Sequence, residues 1–247
     1  MKYHGKTALI TGGASPIGLA VARRLSAGGA NIALADIDPE ALDRAGRELG
    51  GNPLLSVADL SDEHAASDFV SAAIQRFGTV DILVNNAGGG IIDWTRNHTP
   101  TSIRQTIDRN LWTMLWVTRA SLPSMVEHDY GRIVNIGADS VRNGLVMHAI
   151  YNAAKGGVHA IASGLAREYA QYDITVNVVA PCMVLTPQVI AAKEANNPIV
   201  AEMEAVIPKG RSAEPDEVAS MVSYLCLDEA RFVTGQVISV NGGSTMQ

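Results

Sequence analysis

The sequence predicts an α/β protein built on one parallel, doubly wound sheet of about seven strands, with helices on both faces. Three observations predict it. Short apolar runs alternate with longer helix-patterned segments from one end of the chain to the other. The runs are rich in Val, Ile and Leu and lack a two-residue alternation, as expected of strands buried on both faces. A glycine-rich turn follows the first run directly and opens a helical pattern, the kind of junction at which such sheets hold an anion.

In order, the strands are TALITG (7–12), NIALAD (31–36), PLLSVAD (53–59), DILVNNAG (81–88), RIVNIGA (132–138), TVNVVAP (175–181) and QVISVNGG (236–243). Between them LAVARRLSAGG (19–29), HAASDFVSAAIQRFG (64–78) and GGVHAIASGLAREYAQ (156–171) carry a helical period. Gly28, Gly29 and Gly78 stand where helices stop. Strand–helix alternation over the whole length, with no linker or repeat, predicts one domain over residues 1–247. A long connection around 186–208 is expected to act as a lid.

Composition narrows the class of function. The chain has 247 residues, 47% of them hydrophobic, enough for one large core. Acidic residues number 25 against 19 basic, a net charge of −6, which disfavours a nucleic-acid surface. Two cysteines, Cys182 and Cys226, make no disulfide framework and fit a reducing compartment. The opening MKYHGKTALITGG has no apolar signal region and no long apolar span follows, so a cytoplasmic location without membrane contact is expected. No metal ion is expected.

The turn TGGASPIG (11–18) assigns the nucleotide end. Gly12 and Gly18 fill the turn and close-packing roles, and Ser15, Pro16 and Ile17 lie between them. Pro16 brings no N–H for a phosphate, but its fixed φ suits the first turn of a helix. Asp36 ends the second strand where a ribose would arrive. A carboxylate there accepts hydrogen bonds from the ribose hydroxyls and repels a 2′-phosphate. Neither Ser15 nor Ile37 offers that phosphate a cation, so NAD is predicted over NADP. This makes the sheet a dinucleotide-binding one of the Rossmann type.

Tyr151 and Lys155, in YNAAK, are spaced to share one face of a helix. Free tyrosine titrates near pH 10, so a phenol working as a base at neutral pH needs a cation beside it. Together TGxxxxxG, NNAG (85–88), the Asn in RNLW, YNAAK and VNVVAP (176–181) resemble the short-chain dehydrogenase/reductase family over nearly the whole chain. The resemblance implies that Tyr151 is the acid/base on the substrate oxygen. Lys155 would lower its pKa and hold the nicotinamide ribose, and Asn110 would complete a proton relay to Lys155. It also implies that Asp59 and Leu60 line the adenine site, that Asn86, Ala87 and Gly88 pass along the cofactor, and that Pro181, Val184 and Thr186 attend its nicotinamide end.

Two positions depart from the family pattern. The serine thirteen residues before the tyrosine is Ala138 here, and Cys182 stands where glycine usually follows VAP. On an extended segment residues 138 and 140 point the same way, so Ser140 is expected to supply the missing hydroxyl and Asp139 to point to the other side. Cys182 is read as packing near the nicotinamide.

Trp94, Leu145, Val146, Met147, Ile150 and Met183 offer an apolar wall for a ring or alkyl group. Arg96, Arg142 and His148 are the candidates for a substrate carboxylate. GADSVRNG and VNGGSTMQ are similar to bacterial members that oxidise cyclic alcohols or cis-dihydrodiols. The leading expectation is an NAD-dependent oxidoreductase taking hydride from a secondary alcohol. Its rivals are a 3-oxoacyl thioester reductase and a non-catalytic NAD-binding scaffold. The family also implies homo-oligomers, commonly tetramers joined through helices such as 101–126 and 152–171.

Overall fold

The computed structural model describes residues 2–246. Its seven strands are β1 (Thr7–Thr11), β2 (Asn31–Asp36), β3 (Leu54–Val57), β4 (Ile82–Asn85), β5 (Gly131–Ile136), β6 (Ile174–Pro181) and β7 (Val237–Val240). Ten helices connect or follow them. They are α1 (Pro16–Ala27), α2 (Pro39–Leu49), α3 (Glu63–Phe77), α4 (Pro100–Ile107), α5 (Thr113–Glu127), α6 (Ser140–Asn143), α7 (Ala149–Glu168), α8 (Pro187–Glu194), α9 (Pro198–Ala205) and α10 (Pro215–Leu225). Among the described residues no helix is long and apolar enough to cross a membrane.

The sheet is parallel throughout, in the order β3-β2-β1-β4-β5-β6-β7. The chain winds outward from β1 in one direction and returns to begin again at β4. The crevice between β1 and β4 at their carboxyl ends is the switch point where doubly wound sheets bind ligands.

Alternate residues of each strand feed two cores. Ala8 and Ile10 of β1 meet α1, α2 and α10 through Val21, Leu25, Leu42 and Val222. Leu9 faces α3, α5 and α7 through Phe69, Val117 and Leu165. Burial on both sides explains the missing alternation in β1, β5 and β6, every residue of which is buried. The edge strand β3 alone alternates, half-buried with exposed.

Local chemistry starts the helices on time. Ser15, Asp38, Asp62, Thr99 and Thr186 each accept a backbone N–H at a helix N-terminus, and Pro16, Pro39, Pro100 and Pro187 open four of those helices. The helix expected over 101–126 is present as α4 and α5, joined without a break. Between α4 and α5 residues Asp108–Trp112 widen into a π-helical turn.

Candidate active site

A cavity of about 690 Å³ opens at the carboxyl ends of the strands, over the β1/β4 switch point. At its nucleotide end Gly12 adopts φ +60°, and a Cβ there would come within 2.9 Å of the Ala87 Cα. Gly18 packs on the Gly12 carbonyl, leaving no room for a side chain. Ser15 caps α1, its hydroxyl accepting the Gly18 N–H at 3.1 Å, and Pro16 takes the first helical position. The Asn86 amide holds this turn to β4, donating to the carbonyls of Thr11 (3.0 Å) and Gly12 (2.8 Å) and to the Ser15 hydroxyl (3.0 Å). Thr11 completes the join by accepting the N–H groups of Asn86 and Ala87. Thr11 opens the TGxxxxxG motif, but the sequence alone assigns its hydroxyl no partner.

Asp36 lies on the cavity wall and accepts the Ala14 N–H at 3.1 Å and the Asp38 N–H at 3.2 Å. Those two bonds aim the carboxylate and leave it lone pairs for a diol. Ile37, Asp59, Leu60, Ala87, Gly88, Pro181, Val184 and Thr186 line the same cavity. The close backbone approach at Gly12 and Gly18, the N-terminus of α1 and the carboxylate at the end of β2 fit the pyrophosphate and ribose of a dinucleotide.

At the other end Tyr151 and Lys155 stand one turn apart on α7, and both line the cavity. The Lys155 ammonium lies 5.9 Å from the Tyr151 ring centre and donates to the Ile136 carbonyl at 2.8 Å. Burial pushes the Tyr151 phenol up to about 12 and pulls Lys155 down to about 8. Both shifts favour the neutral form, so the free site resists charge. One further turn along, His159 is pulled down to about 4, by burial first and then by Arg142 and Lys155. Its neutral Nε2 accepts the Ala138 N–H at 3.2 Å and holds that loop in place.

Asn110 lies behind the cavity wall. Its side chain accepts the Gly89 N–H at 3.1 Å and donates to the carbonyls of Gly89 and Thr106, both at 2.8 Å. A Cβ on Gly88 would sit 2.7 Å from Asn110 Oδ1 and 3.1 Å from Lys155 Nζ, so those two atoms flank one small space. The π-helical turn is what aims Asn110 this way.

Residues 137–140 do not stay extended. Asp139 is already in the right-handed helical region and Ser140 begins α6, which corrects the premise of strand alternation. Ser140 nonetheless reaches the cavity wall, as does Ala138. Its hydroxyl donates to Asn152 Oδ1 at 2.6 Å, and the Asn152 amide returns a bond to the Ser140 carbonyl at 2.9 Å.

The expected substrate wall divides. Leu145, His148, Cys182 and Met183 line the cavity, and the His148 ring meets the Tyr151 ring edge-on at 6.1 Å between centres. Burial is the main cause that pushes the Cys182 thiol up, which suits packing. Six expected substrate contacts are corrected, with Arg96, Val146 and Ile150 among those that do not line the cavity. Arg142 turns to β7, donating to the Ser239 hydroxyl at 3.0 Å and the Val237 carbonyl at 2.7 Å. Trp94 is half-exposed outside the cavity, with the Arg96 guanidinium 5.4 Å from its ring centre. Met147 sits off the wall in a left-handed turn (φ 67°).

In their place Ile92, Arg109, Asn143, Met203, Val206 and Ser244 line the cavity, all unnamed by sequence reasoning. Arg109 had a signal, since it neighbours Asn110. Met203 and Val206 fall in the segment 186–208 expected to act as a lid, while which of the remaining side chains face the cavity is set by the fold.

Known proteins are similar to this chain in sequence and fold. A family model described as enoyl-(acyl carrier protein) reductase matches residues 12–245. The 2,3-dihydroxy-2,3-dihydro-p-cumate dehydrogenase of Pseudomonas putida is 53% identical over 250 aligned positions, covering 100% of this chain and 96% of that protein. The acetoacetyl-CoA reductase of an Acinetobacter species is 36% identical, covering 98% of each. The crystal structure of levodione reductase superposes with a TM-score of 0.91 at 31% identity, covering 98% of both chains.

Proposed function

This chain belongs to the short-chain dehydrogenase/reductase family, as an oxidoreductase of CH–OH groups that uses a nicotinamide cofactor, and from that premise we propose that it oxidises a cyclic secondary alcohol with NAD. The substrate we favour is a cis-dihydrodiol of an aromatic ring that bears a carboxylate, as in the p-cumate series. The observation that carries the reading is the shared cavity, with Asp36 at one end and the Tyr151–Lys155 pair at the other.

Bound NAD supplies the acceptor for the carbon-bound hydrogen as hydride. Tyr151 takes the hydroxyl proton of the substrate. Lys155 lowers the phenol's pKa as a cation, against the burial that raises it. Asn110 orients the path by which the proton leaves past Lys155, and Ser140 donates to the developing alkoxide. Gly12, Ser15, Pro16, Ile17 and Gly18 hold the pyrophosphate, and Asp36 with Ile37 reads the ribose. His148 is the remaining candidate of the three for the ring carboxylate.

NAD over NADP rests on Asp36, which repels a 2′-phosphate and also weighs against a 3-oxoacyl thioester reductase. A non-catalytic scaffold would have no use for the Tyr151–Lys155 pair on the cavity wall. We further propose one domain whose α8–α9 segment is a lid. Neither helix buries a residue, yet Met203 and Val206 reach the cavity. We read the protein as cytoplasmic, consistent with its two free cysteines. We read it as a homotetramer, because an apolar groove lies between α5 and α7, lined by Leu115, Val126 and Ile161. An Ile161→Asp variant is then expected to lower the mass measured by light scattering, and an unchanged mass would refute that interface.

The deciding experiment compares reduction of NAD and NADP against alicyclic alcohols and cis-dihydrodiols, with and without a ring carboxylate. Turnover with NAD and one ring class is expected. Tight NAD binding without turnover across the panel would refute the proposal.

A further inference from the structure

The loop that lacks the family's serine is fastened by the residue beside it. The Asp139 carboxylate, only 1% exposed, accepts hydrogen bonds from four side chains of one segment. Oδ1 receives the Ser239 hydroxyl at 3.3 Å and the Asn241 amide at 3.0 Å. Oδ2 receives the Thr245 hydroxyl at 2.9 Å and the Ser244 hydroxyl. The Asp139 N–H donates to the Pro181 carbonyl at 2.9 Å, which ties the loop to the end of β6 as well.

The segment is shaped for this contact. Gly242 and Gly243 both take positive φ (60° and 91°), and the Gly243 N–H closes onto Asn241 Oδ1 at 3.0 Å. A Cβ on Gly242 would lie 2.7 Å from Ile207, so the turn presses against a residue of the cavity wall. The chain then doubles back and delivers Ser244 both to Asp139 and to the cavity. Arg142 strengthens the same join through the Ser239 hydroxyl and the Val237 carbonyl. A buried anion held by four neutral donors is costly to strip of them, because each lost donor leaves charge unsatisfied.

We propose that Asp139 is a positioning residue for substrate fit: by clasping residues 239–245 against the loop 137–140, it sets the wall of the cavity at the alcohol end. No other residue joins the Ala138–Ser140 side of the cavity to Ser244 by so many bonds among the described residues. The inference rests on the dehydrogenase reading above, because fit is read there through the alcohol.

The test uses the full chain with Asp139→Ala, Asp139→Asn and a Ser244→Ala/Thr245→Ala double variant. Three quantities are measured: KM and kcat for a cyclic alcohol that the wild type oxidises, the NAD dissociation constant, and hydrogen exchange over 239–246. Asp139→Ala is expected to raise the alcohol KM by about tenfold or more. It should leave NAD affinity within about twofold and speed exchange in that segment. Asp139→Asn should recover part of the KM, since the Ser244 and Thr245 hydroxyls can turn to accept from its amide. If Asp139→Ala does not fold, the double variant, with two donors left on Asp139, must still raise KM. An unchanged KM in an active double variant overturns the inference, and so does a parallel loss of NAD affinity, which would mark general loosening. A wild type that binds NAD but oxidises no alcohol overturns the dehydrogenase reading itself, and this inference with it.

Discussion

Removing the Ser140 hydroxyl separates two accounts of a site whose usual serine position holds Ala138. Deleting one hydrogen-bond donor to a developing oxyanion costs about 2.7–4 kcal/mol in other enzymes. Here the hydroxyl first has to leave Asn152 Oδ1, to which it donates at 2.6 Å. A neutral hydrogen bond of that kind contributes about 1 kcal/mol. The net benefit of turning the hydroxyl to the alkoxide is therefore about 1.7–3 kcal/mol. At about 1.36 kcal/mol per tenfold, Ser140→Ala is expected to slow kcat by about 20- to 150-fold. The assay is initial-rate NADH formation at saturating NAD, beside a titration of NAD affinity, which should hold. Adding Ala138→Ser in the Ser140→Ala background should restore part of the rate, because Ala138 also lines the cavity. A kcat within about threefold of wild type in Ser140→Ala would refute the assignment and leave Ser140 as the partner of Asn152 alone.

Three further outcomes test other parts of the site. Gly88→Ala puts a methyl against Asn110 Oδ1 and Lys155 Nζ. A loss of kcat is expected, approaching about 10²-fold if the displacement of those groups nears about 1 Å. Asp36→Ala removes the acceptor for the ribose hydroxyls, and charge-assisted bonds of about 1.5–3 kcal/mol predict a rise of about tenfold or more in KM for NAD. The preference over NADP should narrow in the same variant, and an unchanged ratio of the two cofactors would remove Asp36 from that role. Lys155 should leave a mark on stability. Its pKa falls from 10.5 in the unfolded chain to about 8 in the fold, so between those values the unfolded chain binds the extra proton. This contribution to the free protein's stability grows as pH rises above 8 and is gone below it. The raised Tyr151 acts oppositely only above pH 10, its ordinary value. The melting temperature should therefore show an upward trend over pH 8–10 that is weaker in Lys155→Met, and parallel profiles would refute the assignment.

Much of the fold was legible because burial on both faces suppresses alternation, and that pattern survives in a bare sequence. β1, β5 and β6 are the clearest cases, each buried along its length. The start of α1 was legible because the fixed φ of Pro16 suits a first helical turn. The π-helical turn at 108–112 was not. DRNLW has helical pattern on both sides of it, and an extra residue in a helical turn changes hydrogen bonding without changing hydropathy. Yet that turn aims Asn110 at Gly89, so the local support of a residue singled out in the sequence stayed hidden.

The same limit explains the substrate wall. Tyr151 and Lys155 were legible as a unit because the helix that carries them converts spacing into direction. No such rule governs Arg142. Four residues of α6 decide whether its guanidinium meets the cavity or β7, and the carbonyl of Val237 and hydroxyl of Ser239 lie 95 and 97 positions away in sequence. Asp139 is the sharper case. Strand alternation pointed it away from Ser140 for a reason the structure removes, since Asp139 is helical rather than extended. Its side chain is claimed instead by donors from 239–245, which become neighbours only once β7 has added to the sheet beside β6. A hydroxyl or carboxylate in a loop acquires its partner from topology. Helical spacing therefore brings Tyr151 and Lys155 together on one cavity wall as the sequence alone suggests, whereas the partners of Arg142 and Asp139 are set by topology.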